Sequence, residues 1–206
     1  MLDACLNPEL AAEITCQPVR RHGVDAAVFF SDIMIPLALA GVEVTITAGV
    51  GPVFEQPVNS VAEVNRLVER RILDASAVEK AVALAVAELG EDTPVIGFAG
   101  APFTLAAYLV EGRASRDHLA ARTLMHADPG AWDALMTWCA RLTGDFIAAQ
   151  VRAGASAAQL FDSWAGSLSP ADYRARVAPY SALALSIARR AVSPTTGAPA
   201  PLIHFG

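Results

Sequence analysis

Charge is scarce in this sequence of 206 residues: Asp, Glu, Lys and Arg supply 17% of it, against 54% hydrophobic residues. That balance excludes an intrinsically disordered chain, which has too little apolar surface to offset the entropy of ordering. Basic clusters are missing as well. Nothing exceeds the pairs Arg20-Arg21, Arg70-Arg71 and Arg189-Arg190, and the formal net charge is −6, so neither nucleic acid nor an anionic membrane is expected as a partner. The apolar stretch Ile33 to Val42 has ten residues and contains Pro36, far short of the ~20 that a membrane span needs. The opening MLDACLNPEL has neither the basic segment nor the apolar run of a secretory signal, which leaves a cytoplasmic location as the expectation.

Cysteine is sparse. Cys5, Cys16 and Cys139 are an odd number at unrelated spacings, which excludes a disulfide framework and a zinc knuckle and predicts buried, inert thiols. No G-x-G-x-x-G fingerprint, phosphate-loop lysine or G-x-S-x-G elbow occurs, so nucleotide cofactors and serine-hydrolase chemistry are disfavoured. His22, His118 and His126 fall on expected helices without ligand spacing, and zinc has no evident set of partners.

What is present is an alternation of strands and helices. Four short runs rich in β-branched or aromatic residues, Ala26 to Asp32, Pro94 to Gly100, Ala157 to Ser163 and Pro201 to Gly206, read as buried parallel strands. Between them stands helix punctuation. Asn7 is an N-cap with Pro8 at the first helical position and Glu9 in the first turn, and Gly23 supplies the stop. Pro18 is expected to kink or cut this helix. Ser60 with Glu63 and Ser76 with Glu79 have capping-box spacing, and Gly90 closes the second of those helices. Asp128-Pro129 opens a long amphipathic helix toward Gly154, and Ser169-Pro170 opens another. Val42 to Val58, alternating around Thr45 and Thr47 with a Gly49/Gly51/Pro52 turn, is the expected hairpin insertion. The order predicts a single parallel α/β domain over residues 1–206. Four strands cannot close a barrel, whose complete form takes roughly 250 residues, and pattern alone leaves a barrel portion and an open doubly wound sheet both standing.

In either architecture, ligands meet the protein just beyond the carboxyl ends of the strands. The first run ends Phe29-Phe30-Ser31-Asp32, a carboxylate fit to stabilise a developing cation, to cap a helix or to pair in a salt bridge. The second continues as GFAGAPFTLAAYLVEG, Gly97 to Gly112. There Gly97, Gly100 and Pro102 imply a tight turn with a close backbone approach, and Thr104 is placed to cap the helix that follows. Tyr108 lies four residues on, on the same helical face, as a packing residue or a site hydroxyl. The third run ends Phe161-Asp162-Ser163-Trp164-Ala165-Gly166, where Ser163 either donates to a substrate carboxylate or satisfies a local turn. His204, in the fourth run, is expected as a satisfied core histidine.

Together these stretches resemble one family, the uroporphyrinogen decarboxylases. The run from Gly97 to Gly112 is similar throughout to the family's signature, with its proline, aromatic, threonine and tyrosine at Pro102, Phe103, Thr104 and Tyr108. FFSDI (Phe29 to Ile33) resembles the family's aspartate loop, and LFDSWAG (Leu160 to Gly166) its later serine loop; PVRRHGVDAA (Pro18 to Ala27) and the GVGP turn (Gly49 to Pro52) fit as well. The resemblance implies a (β/α)8 TIM barrel, present here as an incomplete portion with about four of the parallel strands. It implies a homodimer that converts uroporphyrinogen III to coproporphyrinogen III by four acetate decarboxylations in haem biosynthesis, without metal or organic cofactor. On the same resemblance Asp32 binds the inward-facing pyrrole N–H groups, Tyr108 hydrogen-bonds near the reacting acetate and Ser163 contacts a peripheral carboxylate, with Asp32 and Tyr108 the catalytic pair.

The match has two departures. The family's arginine-bearing strand, of pattern R-Q-A-G-R-Y, belongs before Met1, and later strands with a substrate-binding histidine belong after Gly206, so an interior portion with little or no activity by itself is expected. Two rivals stand beside this reading. A zinc-dependent methyltransferase of the same superfamily, acting on corrinoid or thiol substrates, needs a His-x-Cys pair and another Cys. A noncatalytic porphyrinogen-binding fragment would bind porphyrin without turnover.

Overall fold

The computed structural model describes residues 1–71 and 74–206. In chain order the elements are α1 (Leu2–Cys5), α2 (Pro8–His22), β1 (Ala27–Val28), α3 (Ile35–Leu39), β2 (Thr45–Thr47), β3 (Gly51–Val53), α4 (Val61–Leu67), α5 (Ser76–Leu89), β4 (Val95–Gly100) and α6 (Pro102–Glu111). They continue with α7 (Leu119–Ala127), α8 (Pro129–Arg152), β5 (Ala157–Phe161), a 3₁₀ turn (Ala165–Ser167), α9 (Pro170–Arg176), α10 (Ala178–Ala188), β6 (Val192–Ser193), β7 (Ala198–Pro199) and β8 (Leu202–Phe205).

Local chemistry explains most boundaries. The Asn7 side chain accepts from Leu10 N at 3.0 Å, and α2 closes at Gly23 in a left-handed conformation. Pro18 does not cut this helix as expected. It is exposed on α2, on the side where a carbonyl deprived of its amide partner can stay hydrated, while buried Thr15 and Cys16 hold the turn to the core. Ser60 and Glu63 form the expected capping box. Ser76 and Glu79 do not: Ser76 is itself the first helical residue, and the Asp74 carboxylate accepts from its backbone N at 2.8 Å and its hydroxyl at 2.9 Å. Asp128 caps α8 through Ala131 N at 2.8 Å.

Strands β1, β4, β5 and β8 lie side by side in that order, all parallel, with Ala27 opposite Val95, Gly97 opposite Ala158 and Leu160 opposite His204. Successive strands are neighbours, as in a barrel wall; a doubly wound sheet instead reverses its order at a switch point. Burial points the same way. Val95, Ala99, Ala158 and Leu160 pack in one cluster with Val78 and Val82 of α5 and Phe146 and Ile147 of α8. On the opposite face Val28, Phe98, Phe161, Ile203 and Phe205 are partly or fully open, and Phe98, Phe161 and Phe205 form an edge-to-face ladder with centroids 5.5 and 6.0 Å apart. The strands are therefore buried on one side only, which corrects the expectation of fully buried strands. The sheet is a portion of a β/α barrel with helices outside and an aromatic inner wall.

The first strand is shorter than Ala26 to Asp32. Phe29 N makes the last bond to β4, at Ile96 O (2.9 Å), and Phe30 N turns to Thr15 Oγ1 of α2 at 2.9 Å. Where β1 leaves, Gln150 of α8 takes over the edge of β4: its amide oxygen accepts from Phe98 N and its amide nitrogen donates to Phe98 O, both at 2.9 Å. Gly97 makes this clamp possible, because a Cβ there would stand 2.8 Å from the Gln150 amide oxygen. At Gly100 a Cβ would meet Ile33 and Leu105 side chains at 3.0 Å. The close approach expected at these glycines is thus to the protein's own side chains. Thr104 is not a cap; α6 starts after Ala101 without a side-chain bond, and the Thr104 hydroxyl reaches Phe161 O at 3.5 Å.

The expected insertion is the β2–β3 hairpin, with Thr45 opposite Val53 and Thr47 opposite Gly51. Phe54 N bonds Gly112 O and Val58 N bonds Leu109 O, at 2.7 and 2.8 Å. These bonds brace the end of α6, the helix that carries Tyr108.

Candidate active site

Asp32 ends the loop that leaves β1. Its Oδ1 accepts from Met34 N at 2.8 Å and its carbonyl from Ile35 N at 3.0 Å, so it sets the start of α3. Asp32 is not the helix cap the sequence allowed, since the N-cap of α3 is Met34 without a side-chain bond; its turn bond leaves a half-buried carboxylate whose orientation is fixed by the backbone. The hydroxyl of Ser31 beside it is buried and without a partner. Burial pushes the nearby Cys5 thiol up to about 11, with the Asp32 charge as the second cause, so Cys5 stays a neutral thiol. Cys16 and Cys139 are buried free thiols too.

Tyr108, on α6, is half-buried, and its ring lies over Trp164 with centroids 4.1 Å apart. Burial raises its phenol above the ordinary tyrosine range, and the Asp32 charge adds to the rise. The Asp32 carboxylate can offset positive charge, and the Tyr108 phenol, kept neutral by burial, can donate a hydrogen bond. Ser163 is exposed on the turn between Asp162 and Trp164.

The structure adds residues to which the sequence reading assigned no role. Asp162 is 1% exposed, with Oδ2 at 3.3 Å from His204 Nε2 and accepting from the Tyr173 hydroxyl at 3.4 Å. Its other oxygen and the Ser181 hydroxyl are both buried without a hydrogen bond. Burial raises the Asp162 carboxyl above its ordinary value, against the opposing pull of His204 and Tyr173. His204 is therefore no core histidine. It sits on the open strand β8, and its ring, with the side chain 32% exposed, serves Asp162. His118 also departs from expectation: it precedes α7 in a left-handed conformation and is 2% exposed. The signals for these residues were a carboxylate closing an apolar strand at Asp162 and an aromatic in a turn at Trp164; the contacts that give them meaning come from other elements.

Among the described residues no group of three or more His, Cys, Asp or Glu side chains is arranged to hold a metal ion, and no helix is long and apolar enough to cross a membrane.

The family model described as Uroporphyrinogen decarboxylase (URO-D) matches residues 1–206. Relatives named uroporphyrinogen decarboxylase include those of Arthrobacter sp. (strain FB24), 60% identical over all of this chain and 57% of that protein, and of Nocardia farcinica (strain IFM 10152), 52% identical over all of this chain and 56% of that protein. The chain thus spans somewhat over half the length of the curated relatives it matches. Among solved structures, a methyltransferase from Methanosarcina mazei superposes with a TM-score of 0.69 at 18% identity, covering 99% of this chain and 58% of that one; this is a likeness of fold.

Proposed function

The chain belongs to the uroporphyrinogen decarboxylase family, and from that premise we propose that the protein bearing it removes the acetate carboxyls of uroporphyrinogen as carbon dioxide, giving coproporphyrinogen. One observation supports the reading from the structural side: the Asp32 carboxylate, fixed by the Met34 N–H, follows β1, and Tyr108, stacked on Trp164, lies on the helix that follows β4, so both belong to the segments beyond the carboxyl ends of neighbouring strands.

Protonation of a pyrrole carbon makes the ring cationic. The carbon–carbon bond to the acetate carboxyl then breaks, its electron pair flows into the ring, and carbon dioxide leaves. A proton taken up at the former acetate methylene and the loss of the ring proton leave a methyl group. Asp32 binds the pyrrole N–H groups and offsets the cation, an interaction strengthened where water is thinned out. Tyr108 hydrogen-bonds near the reacting acetate, and Ser163 holds a peripheral carboxylate. On this reading the intact protein is a cytoplasmic homodimer and needs neither metal nor organic cofactor.

The test is anaerobic incubation with uroporphyrinogen, followed by oxidation and chromatography of the porphyrins. Stepwise loss of acetate carboxyls is expected from the protein at the full length of its relatives, and little from the 206-residue chain alone. Unchanged uroporphyrinogen, together with methyl transfer when zinc is supplied, would replace this reading with the methyltransferase one.

A further inference from the structure

His118 lies outside the residues assigned above, yet its setting is tightly specified. Its φ of 48° is in the left-handed region, which few non-glycine residues occupy and His tolerates better than most. Its ring stacks on Trp164 with centroids 4.3 Å apart and meets Phe103 edge-on at 6.1 Å. Trp164 in turn stacks on Tyr108 at 4.1 Å, so three rings run in contact from His118 to the candidate site.

Hydrogen bonding selects the tautomer. His118 N donates to Ser115 Oγ at 3.2 Å, and Nδ1 lies 3.0 Å from Ser167 Oγ, whose hydroxyl donates to Trp164 O at 2.8 Å. With that hydrogen committed, Ser167 Oγ accepts from Nδ1–H. Nε2 is left as a bare lone pair, buried and unpartnered. The opposite tautomer would bury an orphaned N–H, the rarer and costlier arrangement. Burial also lowers the pKa of His118 and so favours the neutral ring; Glu111 and Asp117 oppose this, and Arg122 adds to it. A strained backbone and an orphaned lone pair persist where the surroundings hold them in place, and such outliers point to function.

We propose that His118 is a positioning residue: by its ring contact and its bond to Ser167 it fixes the Asp162–Ser167 turn, so that Trp164 sets the orientation of the Tyr108 phenol. The inference rests on the reading of Tyr108 as a site residue.

Two measurements on the natural protein test it. Protonated imidazole in contact with indole quenches its emission more strongly than the neutral ring does. Tryptophan emission is therefore expected to fall as pH drops through the His118 range, and that fall should vanish in both W164F and H118N. An H118N protein with the wild-type emission profile overturns the contact. In turnover of uroporphyrinogen, H118A should lower kcat/KM by about tenfold or more, the scale on which small misplacements act. H118N keeps an amide N–H for Ser167 and suits a left-handed backbone, so it should recover part of that loss. H118A should cost nothing further in a Y108F background; additive losses overturn the proposal. If H118A does not fold, H118N carries both readouts. If the wild type fails to decarboxylate, the proposed function falls, while the emission profile still decides the positioning contact.

Discussion

The two faces of the parallel sheet are built to different rules. Toward the helices stand Ala27, Val95, Ala99, Ala158 and Leu160, each no more than 2% exposed, whereas away from them stand larger side chains, with Val28 and Phe205 both 56% exposed. Small residues let α5 and α8 approach the strands closely and bury a continuous cluster, so stability is concentrated on that side. The aromatic face contributes a wall, and the candidate site residues follow the strands' carboxyl ends: Asp32 after β1, and Trp164 after β5 with its ring on Tyr108 of α6. Substitutions should therefore separate by face.

Unfolding of the 206-residue chain in denaturant can break or sharpen that contrast. The largest effect is expected for Leu160→Ala on the helix-facing side, a loss of about 2–5 kcal/mol; a cost below about 1 kcal/mol would mean that this face is not the core. Gly97→Ala should cost about 1–3 kcal/mol, because the new methyl group displaces the Gln150 clamp. Asp162→Asn probes the boundary between the faces. Burial raises the folded-state pKa above the ordinary 3.8, so the wild-type carboxyl contributes its full stability below that value and loses it as pH rises through the folded-state pKa. Asp162→Asn should accordingly raise the unfolding midpoint at neutral pH, with the gain shrinking on acidification; a gain that grew toward low pH would show the charged form to be the stabilised one. The smallest effect belongs to Phe205→Ser, at about 0.5 kcal/mol, mostly its edge contact with Phe161. Should it match Leu160→Ala, the contrast between the faces disappears.

Much of this was legible in the sequence wherever a feature is local. The cap at Asn7, the box at Ser60 and Glu63, the start of α8 at Asp128 and the four strands each depend on neighbours within a few residues. The misreadings arose where distant groups decide. Ser76 became the first helical residue, with its N–H and hydroxyl held by Asp74. The first strand ended early because groups on other elements intervened: Thr15 took the Phe30 N–H, and Gln150 took the Phe98 backbone groups on β4 that a longer first strand would have paired. The candidate site divides in the same way: Asp32 and Tyr108 carry visible motifs, whereas His118 and Asp162 matter through Ser167, Trp164, Tyr173 and His204, which no spacing rule connects to them.

The most direct measurement is the rate of uroporphyrinogen decarboxylation by Asp32→Asn in the natural protein, beside its unfolding midpoint. Asparagine keeps an acceptor for Met34 N–H and removes the negative charge. If the carboxylate offsets a cationic pyrrole, kcat/KM should fall about a hundredfold or more while the midpoint barely moves. Turnover equal to wild type would contradict the role assigned to Asp32 and, with it, the placement of the active site beyond these strand ends.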